Sequence, residues 1–130
     1  MSITYTREKN FTQEQIQELF QSVGWVSANY PERLMKALQH CETVITAWED
    51  HRLVGLINVL DDGELTAYCH YLLVHKDYHG KGIGSELLRL IREQYKGYLY
   101  LILIAENESL VEFYKKNGFE QQKSNFVMEI

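Results

Sequence analysis

Proline is almost absent from this chain of 130 residues, occurring once, at Pro31, and no repeat or biased segment interrupts the sequence. Linkers between domains are usually rich in proline, glycine or polar runs, so a single domain spanning residues 1–130 is expected. Cysteine is scarce as well, with only Cys41 and Cys69, both among apolar neighbours. Two such residues cannot build a disulfide scaffold and fit no metal-ligand spacing; they read as buried thiols in a reducing compartment, with no metal. No stretch approaches the roughly 18 apolar residues of a membrane span, and the first ten residues hold no signal-like apolar run, so the expectation is a cytoplasmic protein without a membrane partner. Positive charge is in deficit, 13 Lys and Arg against 18 Asp and Glu for a net charge of -5. With no basic patch of useful size, a nucleic-acid partner is not expected.

What is present is enough apolar surface for one core, 45% hydrophobic residues with 12% aromatic. Ile3 and Tyr5 suit a short first strand. Thr12 and Gln15 have capping-box spacing, and Ile16, Leu19, Phe20 and Val23 recur at helical intervals before Gly24. Pro31 suits the first turn of a second helix, whose stripe is Leu34, Leu38 and Cys41. Strands follow at 43–49, 53–60 and 64–74, joined by Asp50-His51-Arg52 and by the reversal Asp61-Asp62-Gly63, which together form a meander. After Gly84 the period becomes helical through Leu87, Leu88 and Ile91 to about Tyr95. Tyr98–Ile104 is a dense apolar strand, Asn107 caps a helix that runs to Lys116 before Gly118, and a last strand is expected at 126–130. The fold class is therefore α+β, an α/β layered domain whose mixed, mostly antiparallel central sheet is flanked by helices.

One segment carries a chemical signal. Between the third meander strand and the helix stand Gly80, Gly82 and Gly84, with Lys81, Ile83 and Ser85 interleaved. Glycines at a strand-to-helix turn let backbone amides approach an anion, and the helix N-terminus adds a favourable dipole. Lys81 and the Ser85 hydroxyl can add contacts at the rim. The spacing is not the dinucleotide fingerprint, and no Gly-Lys-Ser/Thr ends it as a Walker loop requires. Taken alone, the run is equally compatible with a tight turn.

The segment Leu72–Leu88 resembles the acyl-CoA-binding signature of the GNAT N-acetyltransferase superfamily, Arg/Gln-x-x-Gly-x-Gly/Ala. Asn107-Glu-Ser-Leu-Val-Glu-Phe-Tyr-Lys-Lys-Asn-Gly-Phe119 resembles that superfamily's second signature. The resemblance covers about Leu53 to Phe119. It implies acetyl-CoA as cosubstrate, its pyrophosphate held by the 79–85 loop and its pantetheine lying between two splayed strands, with backbone hydrogen bonds from Leu72 and Val74. It further implies that Tyr114 protonates the CoA thiolate and that Asn107 contacts the cofactor or orders its loop. The bland roles of these two residues are a core aromatic and a helix cap. His79 stands where the superfamily carries Arg or Gln, and is retained as a contributor to the pyrophosphate site.

An amine must lose a proton before it attacks a thioester. The candidate bases are His70, whose intrinsic pKa range suits the task, and Glu64 at the start of the same strand; Tyr71 falls where relatives often carry an acid. Strict alternation predicts that Tyr68, His70 and Leu72 share one face. His70 is also open to a purely structural role. Trp25, Tyr30 and Arg33, in an aromatic link between the first two helices, are the candidate acceptor pocket, with Trp25 alternatively a staple between helix and sheet. The expected activity is acetyl transfer to a primary amine, of a small molecule before a protein. The rival is a CoA-binding sensor or structural partner that does not transfer, and a homodimer through late strands or helices is compatible with either.

Overall fold

The computed structural model describes residues 2–130. In chain order it contains β1 (Thr4–Thr6), α1 (Gln13–Ser22), α2 (Pro31–His40), β2 (Thr43–Glu49), β3 (Arg52–Asp61), β4 (Thr66–Val74), α3 (Ile83–Gln94), β5 (Tyr100–Leu103) and α4 (Glu108–Lys116). Short 3-10 turns at Val26–Asn29 and Lys76–Tyr78 precede α2 and α3. The five strands form one sheet in the order β1-β2-β3-β4-β5, antiparallel except for the β4–β5 pair. The expected class is thus observed.

Local chemistry accounts for the element ends. Gln15 N–H donates to Thr12 Oγ1 at 3.1 Å while Thr12 N–H donates to Gln15 Oε1 at 2.8 Å, closing the capping box of α1. Helices cover both faces of the sheet. On one face Ile16, Leu19 and Phe20 of α1 and Leu34 and Leu38 of α2 bury Val44, Leu56 and Leu73. On the other, Ile83, Leu87, Leu88 and Ile91 of α3 bury Ile45, Ile57, Val59 and Cys69. Leu53 through Val59 is consequently buried without alternation, as for any strand covered on both sides. Each such side chain contributes roughly 1.5–3 kcal/mol, so removing one from the α3 face loosens the helix that carries the glycine turn.

Gly55 sets how closely α3 approaches. A Cβ built there would stand 3.0 Å from Ile83 Cγ2 and 3.2 Å from the Ala47 Cβ. The bare backbone lets the first turn of α3 rest directly on β3, which brings the helix N-terminus beside the end of β4.

The expected strand at 126–130 does not form. An isolated strand has nothing to satisfy its backbone groups, and this segment pairs with no strand among the described residues.

Candidate functional site

Register builds the site. β3 pairs with β4 at Val59↔Cys69 and again at Ile57↔Leu72, so Asn58 alone faces both His70 and Tyr71. This is a β-bulge on β4, with two residues opposing one. Buried Asn58 holds it, its Oδ1 accepting the Tyr71 N–H at 2.8 Å.

The bulge inverts the side-chain parity of β4. Before it, Ala67 and Cys69 face α3; after it, Leu72 and Val74 pack toward α3 while Tyr71 and Leu73 turn to α1 and α2. The expectation that Tyr68, His70 and Leu72 share a face is therefore overturned. Instead Tyr68, His70 and Tyr71 stack in a row, with ring centroids 5.5 Å and 4.1 Å apart.

The opposite edge of β4 is only partly paired. Its parallel pairing with β5 runs only from Thr66↔Tyr100 to Cys69↔Leu103, although β4 continues to Val74. Beyond Cys69 the pairing stops, and the β4 backbone from His70 to Val74 has no β5 partner on this edge. Leu72 and Val74 both lie on this free stretch.

The glycine turn lies between the end of β4 and α3. Gly80 and Gly82 have φ of +78° and +83°, conformations that L side chains rarely adopt, and Gly82 is the N-cap of α3 without a side-chain acceptor. The first helical amides, those of Ile83, Gly84 and Ser85, are thus left for an external acceptor. Lys81 is exposed beside them, Ser85 is half-buried, and Ile83 anchors the turn in the core. A Cβ at Gly84 would stand 3.3 Å from Phe113 Cζ, so the two segments singled out in the sequence pack on each other. His79 turns back onto the strand, its Nε2 2.7 Å from the Val74 carbonyl oxygen.

A polar cluster missed in the sequence fixes the approach to this turn. Asp77 N–H donates to Nδ1 of buried His75, Arg52 Nη2 stands 3.2 Å from His75 Nε2, and Arg52 also pairs with Glu18 at 3.4 Å. The Arg52 guanidinium lies over the Tyr78 ring, whose hydroxyl donates to Glu49.

Tyr114 lies on α4, edge-on to Phe113 and Phe119 and packed against the core cluster that includes Cys69, the last β4 residue paired with β5. Burial, then the neighbouring Cys69 and Glu106, push its phenol up to about 12, and no group among the described residues hydrogen-bonds its hydroxyl. Burial likewise pushes the Cys69 thiol up to about 12. Asn107 caps α4, its Oδ1 accepting from Leu110 N–H at 3.0 Å and from the Ser109 hydroxyl at 2.7 Å.

His70 is solvent-exposed on one side, and its partial desolvation lowers its pKa from the ordinary histidine value. Glu64 lies in the β3–β4 turn, before β4 begins at Thr66, and so stands off the strand segment that carries His70. Of the acceptor candidates, Trp25 reaches β4, packing 5.7 Å from Tyr71 and 5.9 Å from Phe20. Ser27 of the same link is 2.6 Å from the Tyr71 hydroxyl. Tyr30 and Arg33 instead pair with each other, the guanidinium 5.7 Å from the ring centroid. Among the described residues no group of three or more His, Cys, Asp or Glu could hold a metal ion, and no helix is long and apolar enough to cross a membrane.

Residues 10–119 match the acetyltransferase (GNAT) family. The uncharacterized N-acetyltransferase ycf52 of Porphyra purpurea is 28% identical over 117 residues, 85% of this chain; the chain spans 66% of that protein's length. A GNAT-family acetyltransferase from Streptococcus pneumoniae TIGR4 superposes with a TM-score of 0.86 at 29% identity, covering 99% of this chain and 98% of its own. Glucosamine-6-phosphate N-acetyltransferase of Arabidopsis thaliana, 12% identical, shares the fold at a TM-score of 0.70 over 99% of both chains.

Proposed function

Because this chain belongs to the acetyltransferase (GNAT) family, we propose that it transfers the acetyl group of acetyl-CoA to a primary amine of a small molecule, by direct attack in a ternary complex. The observation that carries this reading is the end of the β4–β5 pairing at Cys69, which leaves His70 to Val74 unpaired on that edge, with the glycine-lined helix N-terminus following β4 and Tyr114 packed against the core cluster that includes Cys69. Pantetheine amides take the place of the missing strand on β4 between His70 and Val74, as an added peptide strand does on an open edge. The pyrophosphate is received by the amides of Ile83, Gly84 and Ser85, with Lys81 at the rim.

The chemistry follows from these positions. His70, uncharged at neutral pH because its pKa is lowered, accepts a proton from the amine directly or through water. The amine nitrogen attacks the thioester carbonyl, and an N–H of the Leu72–Val74 stretch stabilises the oxyanion. The carbon–sulfur bond breaks, and the Tyr114 hydroxyl gives its proton to the departing sulfur. The second proton leaves the new amide nitrogen through solvent and restores the Tyr114 phenol, while solvent carries the first away from His70. Cys69 takes no part as a nucleophile, since burial keeps its thiol protonated.

Trp25 and Tyr71 form the wall beside His70 and are proposed to line the acceptor site; Tyr30 and Arg33 line its outer approach. The absence of an acid at position 71, together with His79 in place of the superfamily's Arg or Gln, favours the second reading, CoA binding without transfer. Free-thiol release from acetyl-CoA with a panel of small amines and a lysine peptide separates the two. Amine-dependent release supports transfer, whereas acetyl-CoA binding without release across the panel supports the second reading.

A further inference from the structure

A general base is usually turned toward its substrate by a third group that hydrogen-bonds to it. His70 has no such group: its pKa is lowered by desolvation alone, and no hydrogen bond or charge among the described residues acts on its imidazole. What holds the ring is stacking. Tyr68 lies 5.5 Å away at an interplanar angle of 29°, and Tyr71 lies closer and more nearly parallel, at 4.1 Å and 24°. Neighbouring residues of a regular strand point to opposite faces, so it is the bulge opposite Asn58 that lets residues 70 and 71 stack.

His70 is exposed, whereas Tyr71 is half-buried and gripped from three directions. Phe20 of α1, itself fully buried, meets the Tyr71 ring edge-on at 5.0 Å and 88°. Trp25 lies 5.7 Å from it at 31°, and the Tyr71 hydroxyl stands 2.6 Å from Ser27 Oγ. Ser27 sits on the 3-10 turn Val26–Asn29, which is anchored by buried Ala28, whose carbonyl accepts from Gln17 Nε2 of α1 at 3.1 Å. The plate on which His70 rests is therefore fixed to α1 and the link after it as well as to β4. Contacts between apolar ring surfaces have little direction, so Phe20 and Trp25 alone leave the ring free to slide in its own plane. A hydroxyl pair has a set length and angle, and this one fixes the far end of the ring.

We infer that Tyr71 and Ser27 are positioning residues for the base: Ser27 holds the Tyr71 hydroxyl, and the Tyr71 ring sets the plane of the His70 imidazole. This role rests on the reading of His70 as the base. It gives position 71 a part that needs no acid, and neither residue takes or gives a proton.

Proton NMR of the His70 imidazole tests the positioning without reference to activity, the signals being assigned as those that vanish in His70→Gln. Removing the stacked ring in Tyr71→Leu is expected to move them downfield, since the ring current of Tyr71 is lost. Ser27→Ala and Tyr71→Phe, which keep the packing, should move the same signals by equal, smaller amounts, and the double variant no further. In kinetics each of these two should lower kcat about 5-fold, the worth of one hydrogen bond, with acceptor KM and acetyl-CoA Kd unchanged and no added loss in the double variant. His70 signals that stay in place in Tyr71→Leu and Ser27→Ala would overturn the positioning and leave the transfer reading intact. Signals that move with no loss of kcat would overturn it too, because the ring that Tyr71 holds is then not the base. Absence of amine-dependent thiol release from the unmodified chain is a separate failure, which removes the transfer reading and this role together.

Discussion

His79 Nε2 lies 2.7 Å from the Val74 carbonyl oxygen, tying the residue that opens the glycine turn to the last residue of β4. A carbonyl has two lone pairs; the imidazole N–H uses one and leaves the other for a pantetheine amide. The contact therefore couples the two halves of the proposed acetyl-CoA site. His79→Ala is expected to raise the acetyl-CoA Kd about 5-fold, the equivalent of one neutral hydrogen bond of about 1 kcal/mol, with kcat unchanged at saturation. Calorimetry on the two proteins checks it, and an equal Kd removes the coupling.

Tyr114 stays protonated across any practical assay range, since burial pushes its phenol up to about 12. Tyr114→Phe keeps the packing against Phe113 and Phe119 while removing the proton. The expectation is a kcat lower by about 10²-fold with acetyl-CoA affinity unchanged. Unchanged turnover would assign the protonation to another group.

His70 supplies the pH dependence. Desolvation lowers its pKa below the ordinary value, so the base form is lost only as pH falls through that lowered pKa, and the acid limb of kcat lies below about pH 6.5. His70→Gln should reduce kcat by about 10²-fold and abolish this limb. A pH profile with the same limb in the variant points to a different base.

Asn58 acts through the strand it faces. Asn58→Ala leaves the Tyr71 N–H without its 2.8 Å acceptor, at a cost of roughly 1–3 kcal/mol, and frees the bulge that places His70 and Tyr71 on one face. Urea unfolding should show the stability loss. In kinetics kcat should fall more than the acetyl-CoA Kd rises, and Asn58→Asp, which keeps the acceptor oxygen, should recover most of the turnover. An alanine variant that loses stability alone would make Asn58 a packing residue.

Much of this arrangement could be read from the chain because its signals are local. Thr12 with Gln15, Asn107 with Leu110, and the Gly80–Gly84 turn each depend on residues a few positions apart. The bulge was not legible, since it arises from pairing Asn58 with residues more than ten positions away, and nothing in the sequence near Leu72 announces that its parity reverses. The His75–Arg52–Glu18 cluster was missed for the same reason: its members come from β3, α1 and the turn after β4. Trp25 packs on Tyr71 of the sheet, a contact between segments far apart in the chain, whereas the pairing of Tyr30 with Arg33 depends on the start of α2, where Pro31 brings the two side chains onto one turn. At 126–130 the strand pattern is present in the sequence, but the segment pairs with no strand among the described residues.

Every proposed step depends on the opening between β4 and β5 receiving acetyl-CoA. Calorimetric titration of the folded chain with acetyl-CoA, repeated in the presence of pyrophosphate, measures this without any knowledge of the acceptor. One site per chain is expected, weakened by pyrophosphate competing at the Gly80–Gly84 turn; a folded protein that gives no binding heat and gains no protection against thermal unfolding at saturating acetyl-CoA would contradict it.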